Sequence, residues 1–160
     1  MLFLLAMGVT GLLLGWKKHS GGILLAETVN GSTTNMEAWL PIKILTTKTL
    51  EFAKDSLLFE PILDRIDVRP ENGVIKYTFK NNIHGIQIDA ATGNILLVEK
   101  RYADLIEQIH DGSLMDKTMG WKSGIFKLIY TTVISLGLIL FCITGFWLWY
   151  GPKIIRKKQY

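Results

Sequence analysis

Residues 128–151 form an uncharged run, and this run restricts the fold of the chain more than any other feature of the sequence. A helix crosses a bilayer with about 20 apolar residues, because each residue adds about 1.5 Å against a hydrocarbon core of about 30 Å. The run has 24 residues and closes on an aromatic-rich segment, 146–150, which is typical of a membrane interface. Gly151 and Pro152 then predict the end of the helix. We expect a C-terminal region, residues 121–160, made of this transmembrane helix and a basic tail.

A second uncharged run covers residues 1–16, which corresponds to only about 24 Å of helix and is short for a full span. A cleaved signal peptide would have a basic segment before the apolar stretch and a small-residue cleavage site after it. Neither feature is present, so an uncleaved anchor fits better. We therefore expect an N-terminal transmembrane helix within residues 1–19, whose true start lies upstream of Met1.

Both runs carry glycines at spacings that let membrane helices approach closely. Gly11 and Gly15 form a G-x-x-x-G pattern in the first run, while Gly137 and Gly145 share one face of the second. The pattern predicts helix–helix packing, either between the two runs or with a helix of another protein.

Residues 20–120 have the pattern of a small α+β domain. Pro41 begins an amphipathic helix that we expect to reach about Leu57, and a shorter helix is expected at about 101–109. Four short apolar segments between these helices predict antiparallel strands. The turns that separate them are predicted at 70–73, 81–82 and 89–94. Because a sheet made of hairpins tolerates one wet face, we expect a helix on one face and water on the other.

Basic residues flank both apolar runs and account for much of the formal net charge of +4. Such residues usually meet lipid headgroups, whereas the middle of the chain is rich in Asp and Glu. We therefore expect a lipid bilayer and no nucleic acid among the partners. The C-terminal tail has four basic residues and the inner flanks have five, so charge counting does not orient the chain. The lone cysteine, Cys142, lies inside the second run and cannot form an intrachain disulfide.

Residues 88–96 (IDAATGNIL) resemble the turn that joins two strands in PepSY domains. Residues 110–112 (HDG), followed after a spacer by a helix that closes on 143–147 (ITGFW), resemble the PepSY-associated transmembrane family. The chain departs from that family at Asp111, where Thr is usual, and in lacking a basic segment ahead of its first helix. The positions that carry the structural motif are Asp89, Thr92, Gly93, Gly112, Thr144 and Gly145.

This resemblance implies a bacterial cytoplasmic-membrane protein with two transmembrane helices that flank a PepSY-like antiparallel sheet with packed helices. It also implies that the central domain is extracytoplasmic and that both chain ends are cytoplasmic. The sequence shows no nucleophile triad, phosphate-binding loop or His-Glu-x-x-His motif. We therefore expect a non-catalytic accessory protein without a cofactor, which presents the domain to a membrane or envelope partner by adding a strand to its sheet.

The alternative that the resemblance implies is a haem- or metal-linked redox protein, since larger relatives include iron–siderophore reductases thought to carry haem on membrane histidines. His19 and His110 would then bind the cofactor, because each lies near one end of an apolar run. Neither run contains a histidine at membrane depth, however, where a bis-histidine haem would need its ligands. The structural interpretation makes His110 a helix-terminal residue next to a Gly112 stop. A protease-inhibitor-like module is the third function that the resemblance implies.

Overall fold

The computed structural model describes residues 2–80, 82–121 and 123–157. Its helices are α1 (Leu2–Gly15), α2 (Ile42–Leu57), α3 (Tyr102–His110), α4 (Ser113–Met119) and α5 (Ile125–Lys157). Its strands are β1 (Leu63–Arg69), β2 (Val74–Phe79), β3 (His84–Asp89) and β4 (Ile95–Lys100). The predicted α+β fold with a four-stranded antiparallel sheet is confirmed, although α4 was not anticipated. The chain forms two compact units, residues 15–105 and residues 1–14 with 106–160.

The sheet unit is built from three consecutive hairpins, so the strand order is β1-β2-β3-β4. Ile75 pairs with Ile88 and Tyr77 with Ile86, which places these side chains on one face. They share a fully buried core with Leu45 of α2. Burying each of these large apolar side chains stabilises the fold by about 1.5–3 kcal/mol relative to exposure. The turn predicted at 81–82 includes Asn81, which lies outside the described residues.

The second face of the sheet is also covered, so the prediction of one wet face was wrong. An extended stretch, residues 24–33, crosses this face and is called the crossing segment below. The Gln87 side chain is 0% exposed there: its Oε1 accepts from Val29 N–H, while its Nε2 donates to the Glu27 carbonyl oxygen. The Gln87 side chain therefore bonds to the backbone of the crossing segment rather than to water, which alternation of residue types along a strand does not reveal.

Two glycines let the crossing segment approach the sheet. Gly31 N–H donates to the Asn72 carbonyl oxygen at 2.7 Å. A Cβ atom added to Gly31 would overlap the Gly73 carbonyl oxygen, and one added to Gly73 would overlap the Thr33 carbonyl oxygen. The backbones therefore meet more closely here than any larger residue allows.

In the helical unit, α5 has a stretch, Ile125–Lys153, that is long and apolar enough to cross a membrane, and none of its most apolar part is buried. It is the only such helix among residues 2–80, 82–121 and 123–157. The apolar part of α1, Phe3–Gly15, is shorter than a typical span, so a second transmembrane helix is an expectation rather than an observation.

The prediction that Gly151 and Pro152 end the C-terminal helix was wrong, because α5 continues through Pro152 to Lys157. Proline removes one backbone donor and crowds the carbonyl one turn earlier, which disfavours a helix without forbidding it. Membrane helices tolerate this loss more often than soluble helices do.

Candidate functional site

The turn that resembles a PepSY motif is organised by the Asp89 carboxylate, which is 3% exposed. Its Oδ1 accepts from the backbone N–H groups of Ala91 and Thr92 at 2.9 and 3.1 Å. Ser32 of the crossing segment donates its N–H to Oδ2 at 2.8 Å and its hydroxyl to Oδ1 at 3.0 Å. Burial alone would raise the pKa of Asp89, but these four hydrogen bonds outweigh it and hold the pKa below the ordinary value.

Gly93 closes the same turn in the left-handed region, with φ at +73°. Its N–H donates to the Asp89 carbonyl oxygen at 2.9 Å, and the Thr92 hydroxyl accepts from Asn94 N–H at 3.3 Å. Every polar group named here has a structural partner, so the geometry gives the turn a role in joining β3 to β4.

His110 is the last residue of α3 and contacts α1. Its Nδ1 lies 2.8 Å from Thr10 Oγ1, and that oxygen also lies 2.6 Å from the Ala6 carbonyl oxygen. The hydroxyl has one proton, which the shorter contact uses, so we assign His110 Nδ1–H as the donor to Thr10. In the uncharged ring, Nε2 then carries the lone pair. This nitrogen makes no hydrogen bond within the described part of the chain.

The His110 ring lines a groove of about 950 Å³ whose other walls come from α1 and α5. The remaining lining side chains are apolar apart from Ser135. Gly11 of α1 faces the same ring, because a Cβ atom added to Gly11 would lie 3.4 Å from His110 Cε1. His110 therefore joins the end of α3 to α1, a contact that sequence spacing between residues 100 positions apart could not indicate.

His19 lies in a short 3₁₀ turn, Lys17–His19, and is exposed. It belongs to the sheet unit while His110 belongs to the helical unit, and a shared ligand for the two stays a prediction. Among the described residues, no group of three or more His, Cys, Asp or Glu side chains has the arrangement of a metal site.

The other glycines singled out for helix packing lie in open surroundings. A Cβ atom added to Gly15, Gly137 or Gly145 would meet nothing within 4 Å in the described structure. The Thr144 hydroxyl donates to the Leu140 carbonyl oxygen of its own helix at 2.8 Å. Packing of these positions against another protein stays a prediction.

Asp111, which stands where the family that the motif resembles usually has Thr, forms an ion pair at the start of α5. Its Oδ2 lies 2.5 Å from Lys127 Nζ, and its Oδ1 accepts from Ser113 N–H at 2.9 Å. Burial would raise the pKa of Asp111, but the hydrogen bonds from Lys127 and Ser113 outweigh it and lower the pKa. The neighbouring Gly112 has φ at +76°, and a Cβ atom there would press on the Tyr130 ring.

Asp116 is a structural residue that sequence analysis missed. It is 6% exposed, and its two carboxylate oxygens accept from the N–H groups of Phe126 and Lys127 at 3.1 and 2.9 Å. These donors lie in the first turn of α5 and have no partner inside the helix. A carboxylate ten residues upstream of Phe126 therefore caps α5, and the distance in sequence hides the motif.

The outer strands of the sheet differ in charge. Four of the seven residues of β1 are charged, whereas β4 begins with four uncharged residues, Ile95–Val98. No backbone group of β4 bonds to any described strand or loop other than β3 and its turn. Leu96 lies at a register shift in the β3–β4 pairing and is 37% exposed. The edge of β4 is therefore open and lacks the charges that usually protect an edge.

A charged cavity of about 360 Å³ lies between the crossing segment and the second face of the sheet. Sequence analysis missed it because the polar strand residues were expected to face water. The signal was present in the charged residues Arg65, Asp67 and Arg69 at alternate positions of β1 and in Lys76 of β2, but it did not show that a segment covers this face.

No family model, curated protein or solved structure matches the chain. The function is therefore inferred from the geometry above together with the resemblance of short motifs.

Proposed function

We propose that this chain is a non-catalytic binding protein of the bacterial envelope, anchored in the cytoplasmic membrane, which presents its sheet unit to a protein partner. In this proposal the sheet unit is extracytoplasmic, the C-terminus is cytoplasmic and α1 forms a second membrane pass. The unburied apolar surface of α5 supports the anchor. The PepSY-like motif at 88–96 supports the bacterial and extracytoplasmic assignment.

The open edge of β4 carries the proposal. An extended segment of a partner can add to such an edge through main-chain hydrogen bonds, while side-chain pockets give specificity. The four uncharged residues Ile95–Val98 offer the partner a row of backbone N–H and C=O groups that no charged side chain protects. The charged residues of β1 disfavour the same pairing at that edge.

Site-specific photo-cross-linking in the cells that make the protein tests this assignment. A benzophenone amino acid at Leu96 should give a discrete adduct with one membrane or envelope protein. The same amino acid at Arg65, an exposed position on β1, is the matched control and should give none. Leu96→Lys, which places a charge on the edge away from the core, should reduce adduct formation by a cross-linker at Leu97.

Equal labelling from both edges, or a Leu97 adduct that Leu96→Lys leaves unchanged, would contradict recognition through β4. The membrane anchor would remain supported in that case, because it depends on α5 alone.

A haem-linked redox role is the second candidate, and one observation favours it. Histidines that ligate a metal usually donate their other ring N–H to a fixed acceptor, as His110 Nδ1 does to Thr10 Oγ1. His110 also lines an apolar groove. Purified protein with a Soret band that His110→Ala abolishes would establish this role. Protein without a Soret band after growth with added haem would remove it.

A further inference from the structure

The cavity beneath the crossing segment has a surplus of positive charge. Its lining includes four cationic and three carboxylate side chains, which leaves a formal charge of +1. These side chains are Lys18, Arg69, Lys76, Arg101, Glu27, Asp67 and Glu99. The volume of about 360 Å³ lies at the lower end of the range for small-molecule pockets, about 300–1,000 Å³.

Lys76 is the residue that distinguishes this cavity from an ordinary polar surface. It is 7% exposed, and within the described part of the chain its Nζ makes no salt bridge or hydrogen bond. Its aliphatic stem is buried, but Nζ is not a fully buried atom, so the ammonium is only partly removed from water where it lines the cavity.

Three of the neighbouring charges are already engaged with other groups. Glu99 Oε2 accepts from Gln87 Nε2 at 3.0 Å, and Asp67 Oδ1 lies 3.2 Å from Arg65 Nε. Arg101 Nη2 donates to Asp104 Oδ1 at 3.0 Å, and Arg101 Nε lies 2.8 Å from Oδ2 but is too poorly aligned for a hydrogen bond. Of the two buried cations in the lining, Arg101 is therefore engaged, and Lys76 is the one left to receive an added ligand.

The electrostatics of the cavity agree with this geometry. Burial lowers the pKa of Lys76, and the nearby cations Arg69 and Arg101 lower it further. The Glu99 carboxylate raises the pKa, and Asp67 raises it more weakly, but burial dominates. An anion placed beside Nζ would restore the stability of the charged form.

We propose that this cavity binds a monoanionic oxyanion, a carboxylate or a phosphodiester, with Lys76 as the direct ligand and the exposed Arg69 and Lys18 at its rim. A monoanion matches the surplus of one positive charge. A lysine ammonium binds either anion as a compact point charge. The anion has two chemical sources, a small soluble carboxylate or the headgroup of an anionic lipid, and Lys18 follows α1 by only three residues.

Full-length protein in phosphatidylcholine nanodiscs is the sample for the first test. Titration with sodium acetate or with dimethyl phosphate should give saturable amide chemical-shift changes centred on Glu27, Thr28 and Lys76. A parallel sample in discs that contain phosphatidylglycerol distinguishes the sources. Shifts already present in those discs, and insensitive to acetate, identify a lipid headgroup. Shifts that appear only with the soluble anion identify a small carboxylate or phosphodiester.

Lys76→Met removes the charge but keeps a similar side-chain length, so affinity should fall about tenfold or more, as expected for losing a charged hydrogen bond. Lys43→Met is the matched control, because it removes the same charge from an exposed position on α2 and should bind as the wild type does. If Lys76→Met loses the dispersion of a folded spectrum, Arg69→Gln at the exposed rim replaces it and should weaken binding severalfold.

Three outcomes would overturn the proposal. The first is the absence of a saturable chemical-shift change with either soluble anion or with phosphatidylglycerol. The others are wild-type affinity in folded Lys76→Met, or wild-type affinity in Arg69→Gln if Lys76→Met does not fold. Each outcome leaves the β4 assignment intact, since Leu96 does not line the cavity.

Discussion

The Asp89 carboxylate, at the end of β3, joins the β3–β4 turn to the crossing segment. It accepts from Ala91 and Thr92 in its own turn and from Ser32 in the crossing segment. Hydrogen bonds to a buried carboxylate each contribute about 1.5–3 kcal/mol in comparable proteins. The crossing segment therefore depends on a residue that sequence analysis assigned to a local turn.

Asp89 should make stability depend on pH. Its pKa is lowered in the folded state, so its contribution is fully present above the unfolded value of about 3.9 and is lost as the pH falls through the folded pKa. We expect the thermal midpoint of the sheet unit in micelles to drop below about pH 4. Asp89→Asn should be less stable at neutral pH and should show a smaller further loss on acidification. A loss of equal size in both proteins would show that other carboxylates dominate.

Substitution of Gly93 should lower the stability because of its backbone conformation rather than because of the atoms around it. With φ at +73°, Gly93→Val should lower the free energy of unfolding by about 1–2 kcal/mol, since a β-branched residue strains this region. The added Cβ would meet the flexible end of Lys48, which can move. Gly93→Asn makes the same contact but tolerates the left-handed region, so denaturant titration should show a smaller loss. Equal losses would assign the cost to Lys48 instead.

At the scale of elements, local patterns predicted the core well. The periods of α2 and of the strands, together with the turn residues at 70–73 and 89–94, indicated the hairpin sheet because these signals depend on near neighbours. The crossing segment, α4 and the continuation of α5 past Pro152 were not predicted. The crossing segment and α4 make contacts between residues that are separated in the sequence, such as Val29 with Gln87 and Asp116 with Phe126.

The cap that Asp116 provides should control the start of α5. Asp116→Ala removes the acceptor for the N–H groups of Phe126 and Lys127, so both amides should exchange with solvent faster. Loss of a helix cap costs about 0.5–2 kcal/mol, which corresponds to a faster local exchange of up to about thirtyfold. Asp55→Ala, at an exposed position on α2, removes the same charge and should leave these two amides unchanged. Unchanged exchange in Asp116→Ala would show that the first turn of α5 is held by other contacts.

At the scale of the molecule, the described residues include one helix that is long and apolar enough to span a membrane and one shorter apolar helix. The Phe3 ring lies 6.2 Å from Tyr130, near the beginning of α5. A regular antiparallel pair of spans would instead place the beginning of α1 beside the far part of α5. This contact favours an oblique or shallow α1, while the proposed two-pass topology depends on the apolar sequence of residues 1–16 and on the family resemblance. The side of the membrane on which the N-terminus lies is therefore a separate prediction from the side on which the sheet unit lies.

The topology prediction places the sheet unit outside the cytoplasm and the tail inside. Its basis is the family resemblance together with the basic residues at 153–158, because positive residues close to a span are retained on the cytoplasmic side. Alkaline phosphatase fused at Asn30 should be active, since it needs an oxidising compartment, and the same enzyme fused after Tyr160 should be inactive. A fluorescent protein after Tyr160 should be bright. Activity of the phosphatase at the tail, with none at Asn30, would reverse the orientation.

Neutralising the basic residues of the tail tests whether their charge determines the orientation of the protein. Replacing its four basic residues, Lys153, Arg156, Lys157 and Lys158, with glutamine should raise phosphatase activity at the Tyr160 fusion, because the charges that hold this end inside are gone. Replacing Lys43, Lys48 and Lys54, which lie in α2 and far from either apolar run in sequence, should leave the orientation unchanged. If both sets have the same effect, total charge rather than charge near the span orients the protein. If neither set has an effect, the sheet unit itself determines on which side of the membrane it lies. Folding of that unit after its transfer would then outweigh the effect of the five basic residues of the inner flanks on the orientation.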